Sequence, residues 1–356
     1  MSAMMTNLSS DDKMCDIQTD EFIMNNNTDI NYYPARTLVT PITATGIGLH
    51  SGKEVTLTLR DAPIGTGIVF VRTDLDNAHI PMSATLIQDT MMSSNLVAGD
   101  ARVGTVEHLL SAVSACGLDN LYIEVNTPEI PIMDGSAAPF LFLIDEAGVA
   151  EQPAPKAFLK IKKTVRVTDE DKWAELAPYD DGFLMHFEID FNHAAIKATE
   201  QTTSLDFSTA NFAREVGQAR TFGFLKDLEM LKKHNLALGG SMDNAVVLDE
   251  TSVVNGELRY PNEFVRHKML DAVGDLFVIG HNIIGKFNAY KSGHALNNAL
   301  IRAVLADDSA YEIVTNYDKN SCPIAFIPPK NPLKMKDFKS KNLGDLNFGK
   351  LTEKLV

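Results

Sequence analysis

The chain has 356 residues, 45% of them hydrophobic and 22% charged, with a formal net charge of −15. That is the usual globular mix, so whole-chain disorder is excluded and two domains of about 150 residues each are expected. Apolar runs of about half a dozen residues fall short of the roughly 20 a membrane-spanning helix needs, and so acidic a chain has no general attraction for a phosphate backbone, which speaks against nucleic acid as a partner.

Residues 1–33 carry six acidic residues against Lys13 and show neither strand nor helix periodicity. They read as a disordered acidic leader, without the basic and apolar regions of a secretory signal. Cys15, Cys116 and Cys322 are three and far apart, which excludes a disulfide framework and a CxxC metal knuckle. A cytoplasmic location is the expectation.

From Pro34 onward the pattern is mixed. EVTLTLR (54–60) alternates strictly, and GIVFVR (67–72) follows a Pro63–Gly65 turn region, which predicts a hairpin. TVEHLLSAVSACG (105–117) reads as a helix with Thr105 at its cap and Gly117 at its stop; LYIEV (121–125) is a strand and SAAPFLFLIDEAG (136–148) a second helix. QPAPK (152–156) is the candidate linker. Beyond it come strands in FLKIKKTVRVT and FLMHFEIDF, an amphipathic helix in FLKDLEMLKK, and a type I′ hairpin at Asn255–Gly256. A long helix starts near Glu263 with Asn262 as its cap. Two rounds of strands and helices make this an α+β chain: leader 1–33, N-terminal domain 34–152, C-terminal domain 157–328 and a basic tail 329–356. Seven lysines against three acidic residues in the tail suit a solvated extension, with transient contact to an anionic membrane surface as the alternative.

The chemistry concentrates in a few segments. In RHKMLDAVGD (266–275), helical geometry puts His267, Asp271 and Asp275 on one stripe with Leu270 and Gly274, so the polar groups face inward. An imidazole and a carboxylate at i, i+4 suit zinc, although the same spacing also makes a plain helix-stabilising pair. Glu107-His108 can border one cavity, the histidine as ligand and the glutamate handling a proton, or form an ordinary surface pair. His294 sits in SGHALNN as an acid or a cap residue. The GIGLHSG loop (46–52) lacks the ending of a phosphate loop and reads as a tight turn. No G-x-S-x-G elbow, HExxH or Rossmann fingerprint is present, which removes hydrolase-triad, zincin and nicotinamide chemistry.

Taken in order, TATGIGLHSG, TVEHLLSA, PIMDGSAAPF, ARTFGF, LGGSMDNAVV, EFVRHKMLDAVGDL and YKSGHALNN resemble the zinc-dependent UDP-3-O-acyl-N-acetylglucosamine deacetylases of lipid A biosynthesis over residues 35–328. The resemblance implies two β-α-α-β type domains packed as a sandwich, with the active site at their junction. It implies one catalytic zinc on His108, His267 and Asp271. Glu107 would be the general base, with His294, its partner Asp275 and the Thr221 hydroxyl serving the oxyanion and the leaving amine. Lys268, Lys291 and Phe191 would hold the nucleotide of an acylated UDP-N-acetylglucosamine. Phe222, Ser241, Met242 and Val247 would bind the substrate too, the last two beside Leu225, Leu228 and Leu231 in an acyl passage. By pattern alone those passage residues read as ordinary core. A zinc deacetylase of another N-acetylated metabolite, or a scaffold without chemistry, are the alternatives, and iron suits the same ligands.

Overall fold

The computed structural model describes residues 32–330. The leader up to residue 31, and the tail from 331 with its alternative of a membrane-surface contact, lie outside the described residues.

Two sheet-and-helix halves follow one another. In the first, a five-stranded sheet runs in the order Ile42–Ile47, Glu54–Asp61, Leu121–Val125, Ile68–Arg72, Ala78–Pro81. The Glu54–Asp61 strand buries Val55, Leu57 and Leu59 and turns the residues between them toward solvent, the alternation of a half-covered sheet. The expected hairpin is not formed. Leu121–Val125 lies between its two strands, antiparallel to Glu54–Asp61 and parallel to Ile68–Arg72. Alternation marks a strand but carries no information about its partner.

In the second half, Asn282–Tyr290 is the central strand of a seven-stranded sheet, pairing with Phe158–Ile161, Lys172–Ala177 and Phe183–Glu188. The chain passes between the halves along Val149–Pro155. The candidate linker, residues 152–156, is strand as far as Pro155, where the chain runs antiparallel to Pro34–Leu38. Just beyond the strand Lys156 is fully buried, its Nζ 2.6 Å from Asp119 Oδ1.

The helices meet between the sheets. Every residue of Glu107–Ala115 is buried, and so is all of Glu263–Phe277 except Arg266 and Lys268. A helix covered all round belongs between layers rather than on a surface. These two pack directly on each other, with no room for a side chain at Gly274: a Cβ there would stand 2.0 Å from the carbonyl oxygen of Glu107. Ala138–Ala147 and His294–Leu305 flank the pair.

Local details depart from expectation at turns and caps. Thr105 has φ +56° and does not cap the first helix, whose N-cap is Val106; its hydroxyl donates to Glu129 Oε1 at 3.3 Å instead. Gly117, with φ +67°, does end that helix. Asn262 is at the expected cap position, but its side chain accepts from Arg266 Nε at 2.6 Å rather than from the backbone. FLKDLEMLKK divides into the end of strand Phe222–Phe224, a 3-10 turn at Leu225–Asp227 and a helix at Leu228–Lys233. The Asn255–Gly256 pair is not a type I′ turn, because only Gly256 has positive φ. Asn255 acts as a clamp on the Val246–Leu248 strand, accepting from Val247 N–H at 2.7 Å and donating to the Met242 and Ala245 carbonyls.

Candidate metal centre and active site

Where the two central helices cross, His108 from one meets His267 and Asp271 from the other. One ligand-type atom from each lies within 4.8 Å of the other two, and all three residues are buried. Asp271 Oδ1 is 3.4 Å from His108 Nε2 and 3.3 Å from His267 Nε2. His267 Nδ1–H donates to the Ala219 carbonyl at 3.0 Å, so its Nε2 presents a lone pair. Burial pushes that imidazole down to about 3, which keeps it neutral. Burial works against ionisation of Asp271, yet the Lys268 ammonium, 2.7 Å from Oδ2, helps hold the carboxyl well below its ordinary value. Asp271 Oδ1 has no hydrogen-bond partner, nor has His108 Nδ1. A carboxylate oxygen and the His267 lone pair facing each other without a proton between them are what a cation relieves. Ligand atoms about 3.3–3.4 Å apart are also the spacing of a tetrahedral site with bonds of about 2.0–2.1 Å. The donor set, two imidazoles and a carboxylate, fits a metal ion.

Beside this trio lie two proton-handling groups. Glu107 is buried, and burial raises its pKa against the pull of His294 and His108. Its Oε2 accepts the Ser94 N–H at 3.1 Å, and its Oε1 is 4.0 Å from His294 Nε2. His294 opens the His294–Leu305 helix with Gly293 at the cap. Its Nδ1–H donates to Asp275 at 2.9 Å and 3.1 Å. Burial acts to lower this imidazole, but Asp275 outweighs it and lifts the group to about 9. Ser94 Oγ and Asn297 Nδ2 donate to the same carboxylate at 2.6 Å and 2.9 Å.

Thr221 is placed by its neighbours in sequence and space. Its N–H donates to the Gly135 carbonyl and its own carbonyl accepts from Val246 N–H, each at 2.8 Å. Gly135, with φ +85°, has no room for a side chain: a Cβ would lie 2.1 Å from the Asn244 carbonyl oxygen. Arg220 anchors the same segment on Glu263, a fully buried carboxylate 2.8 Å from its Nε.

The expected residues gather around three cavities. A central one of about 370 Å³ is lined by Glu107, His108, His267, Asp271, His294, Thr221, Phe191, Phe222 and Lys268. Phe222 packs edge-on against Phe191 and Phe264, with ring centres 5.5 Å and 5.1 Å apart. An apolar cavity of about 290 Å³ shares Leu49, Met92, Thr221, Phe222 and Leu231 with it, so the two adjoin. Leu225, Leu228, Ser241, Met242 and Val247 line this second cavity. They are not ordinary core: Leu225 is 38% exposed and Met242 52%. Lys291 stands apart, in a more open cavity of about 710 Å³ that His294 also lines. Its Nζ is held by Asp171 at 2.6 Å and Asp190 at 3.3 Å. The GIGLHSG turn is confirmed, with Gly52 N–H donating to Gly48 O at 3.0 Å, and it also brings Leu49 to the central cavity.

Ser94, Asn297 and Met92 were not found by sequence reasoning. Ser94 and Met92 sit in TMMSSN, which has no spacing or charge pattern to mark it. Asn297 lies within SGHALNN, and its place one turn after His294 was an available signal.

Most of the residues brought together here belong to the motifs of the resemblance, and comparison with known proteins identifies the same family. The family model described as LpxC, UDP-3-O-acyl N-acetylglycosamine deacetylase, matches residues 35–306. A protein of Psychrobacter cryohalolentis named UDP-3-O-acyl-N-acetylglucosamine deacetylase is 59% identical over 295 residues, covering 82% of this chain and 92% of the relative. Proteins of the same name from Thioalkalivibrio sulfidiphilus and Pseudomonas entomophila are each 53% identical, covering 83% of this chain and 97% of theirs. The chain belongs to the UDP-3-O-acyl-N-acetylglucosamine deacetylase family.

Proposed function

We propose that this chain hydrolyses the N-acetyl group of UDP-3-O-(3-hydroxyacyl)-N-acetylglucosamine, releasing acetate and the free amine at the committed step of lipid A biosynthesis. The observation that carries the reading is the junction of a metal-ligand trio, a buried glutamate and a carboxylate-paired histidine with an apolar cavity. One zinc ion would be held by His108, His267 and Asp271. When bound, zinc supplies a Lewis acid and lowers the pKa of water at its open position to about 7.

The chain's own residues supply the rest. Glu107, raised by burial, is the general base that takes the proton of the attacking water. His294, charged at neutral pH because of Asp275, faces the acetyl carbonyl from the other side, offsets the charge developing on its oxygen and gives a proton to the departing nitrogen. The Thr221 hydroxyl donates to the same oxygen. Hydrolysis thus breaks the C–N bond, forms a C–O bond and moves one proton from water to the amine.

Phe191, in the central cavity, offers a face for the uracil ring. Lys268 and Lys291 supply local positive charge for the diphosphate on an acidic protein, exchanging their present carboxylate partners for it. The acyl chain would occupy the cavity lined by Phe222, Ser241, Met242 and Val247. Among the described residues no helix is long and apolar enough to cross a membrane, and a nucleotide-sugar substrate suits a cytoplasmic enzyme.

The test is acetate release from the acylated sugar nucleotide by chelated protein, before and after one equivalent of zinc is returned. Activity that disappears and returns supports the reading. Equal activity on the unacylated sugar nucleotide would favour another N-acetylated metabolite as substrate, and no release with zinc bound would overturn deacetylation.

A further inference from the structure

Ser94 carries none of the chemistry described above, yet each of its polar groups is committed to an element that does. Its N–H donates to Glu107 Oε2 at 3.1 Å, and its hydroxyl donates to Asp275 Oδ1 at 2.6 Å. Its carbonyl accepts the N–H of Val106, the cap of the helix that Glu107 begins, at 3.4 Å. The residue is 2% exposed. Its neighbour Asn95 is tied on its other side, donating to the Asp89 and Ser93 carbonyls and accepting from Arg102. Ser94 is therefore a fixed point touching two carboxylates that come from different helices.

We propose that Ser94 is a positioning residue that sets the placement of Glu107 relative to the Asp275–His294 pair. This rests on the deacetylase reading of the site. The carboxylate of Asp275 shows why the hydroxyl matters. Oδ2 accepts from His294 Nδ1 and Asn297 Nδ2, both at 2.9 Å, whereas Oδ1 has Ser94 at 2.6 Å and only a longer contact to His294 at 3.1 Å. Without the hydroxyl, Asn297 is the one partner left to hold the carboxylate besides His294 itself, so the Asp275–His294 pair can rotate as a unit. His294 then turns away from the carbonyl it must meet. A displacement of about 1 Å in a reacting group costs on the order of 100-fold in rate.

The experiment compares Ser94→Ala and Ser94→Thr in the full-length, metal-loaded protein, measuring kcat, KM and bound metal. Both variants keep the backbone N–H to Glu107. Ser94→Ala should lower kcat by about 10- to 100-fold, the worth of a hydrogen bond to a charged group. KM and metal content stay unchanged, and Ser94→Thr restores most of the rate. In a His294→Ala background, Ser94→Ala should slow the enzyme no further, because its effect runs through His294. A wild-type kcat in Ser94→Ala, a loss confined to KM, loss of metal, no rescue by threonine, or additive loss in the His294→Ala background would each overturn the proposal. If the wild-type chain releases no acetate, the deacetylase reading fails instead. The Nδ1 proton resonance of His294 in metal-free protein then tests the geometry: it should move in Ser94→Ala and stay in Ser94→Thr, and an unmoved resonance in Ser94→Ala refutes the placement.

Discussion

Gly274 offers the sharpest test of how the metal centre is built. A Cβ at this position would meet only backbone: the carbonyl oxygen of Glu107 at 2.0 Å, its carbonyl carbon at 2.7 Å and its Cα at 2.9 Å. Ordinary contact starts at 3.4 Å, so in Gly274→Ala the two central helices must part by about 1.4 Å at their crossing. Overpacking of this kind costs roughly 1–3 kcal/mol, and the helical preference of alanine over glycine returns about 1 kcal/mol. The fold should therefore survive with a modest loss, about 0–2 kcal/mol by urea unfolding of the metal-free protein. Metal binding should not survive so well. His108 lies on one helix and His267 and Asp271 on the other, and a metal site tolerates errors of only about 0.2 Å in its ligand distances. Competition against a chromophoric chelator should show affinity weakened by at least about 100-fold, the upper end of the effect of an outer-shell change. A Gly274→Ala protein that binds metal within about threefold of wild type (under 1 kcal/mol) would refute the argument that this glycine sets the distance between the ligand-bearing helices.

Three further outcomes follow from the geometry. His294→Ala should lower turnover by about 10²–10⁴-fold while metal content stays near wild type, whereas His267→Ala should lose metal and activity together; metal analysis of the two purified proteins decides, and metal loss in the first would place His294 among the ligands. In metal-free protein, His294 rises from its ordinary 6.5 to about 9 on folding, so the charged pair with Asp275 contributes stability in full below pH 6.5 and loses it as pH rises through 9; the contribution is about 3 kcal/mol, and a wild-type minus His294→Ala difference in unfolding free energy that stays flat from pH 6 to pH 10 would contradict it. Glu263→Ala strands the half-buried Arg220 guanidinium, so denaturant unfolding should show about 3–5 kcal/mol lost, and a loss under about 1 kcal/mol would show that the pair does not anchor the segment carrying Thr221.

What the sequence determined by itself is what depends on near neighbours. The i, i+4 spacing of His267 and Asp271 put both on one face of a helix wherever that helix packs, and the structure keeps them there at 3.3 Å. The strict alternation of EVTLTLR identified a strand, and Gly117 and Gly148 identified helix ends, since both adopt positive φ that other residues resist. The ordered motifs supplied the family, and five of the seven place residues on the central cavity.

Only tertiary structure decided which distant pieces meet. Strand Leu121–Val125 separates two strands that are near neighbours in sequence, because pairing is chosen by the whole sheet and not by the turn between them. Thr105 looked like a cap, but Glu129 captures its hydroxyl from another part of the chain. Leu225 and Met242 had the composition of core and line an open cavity instead. His108 joins His267 and Asp271 where two distant helices cross with no room for a side chain at position 274, and Ser94 reaches Asp275 across the same junction. Burial completes the chemistry: neutral His267, raised Glu107 and charged His294 all owe their states to neighbours and to the exclusion of water, which no local pattern of residues encodes.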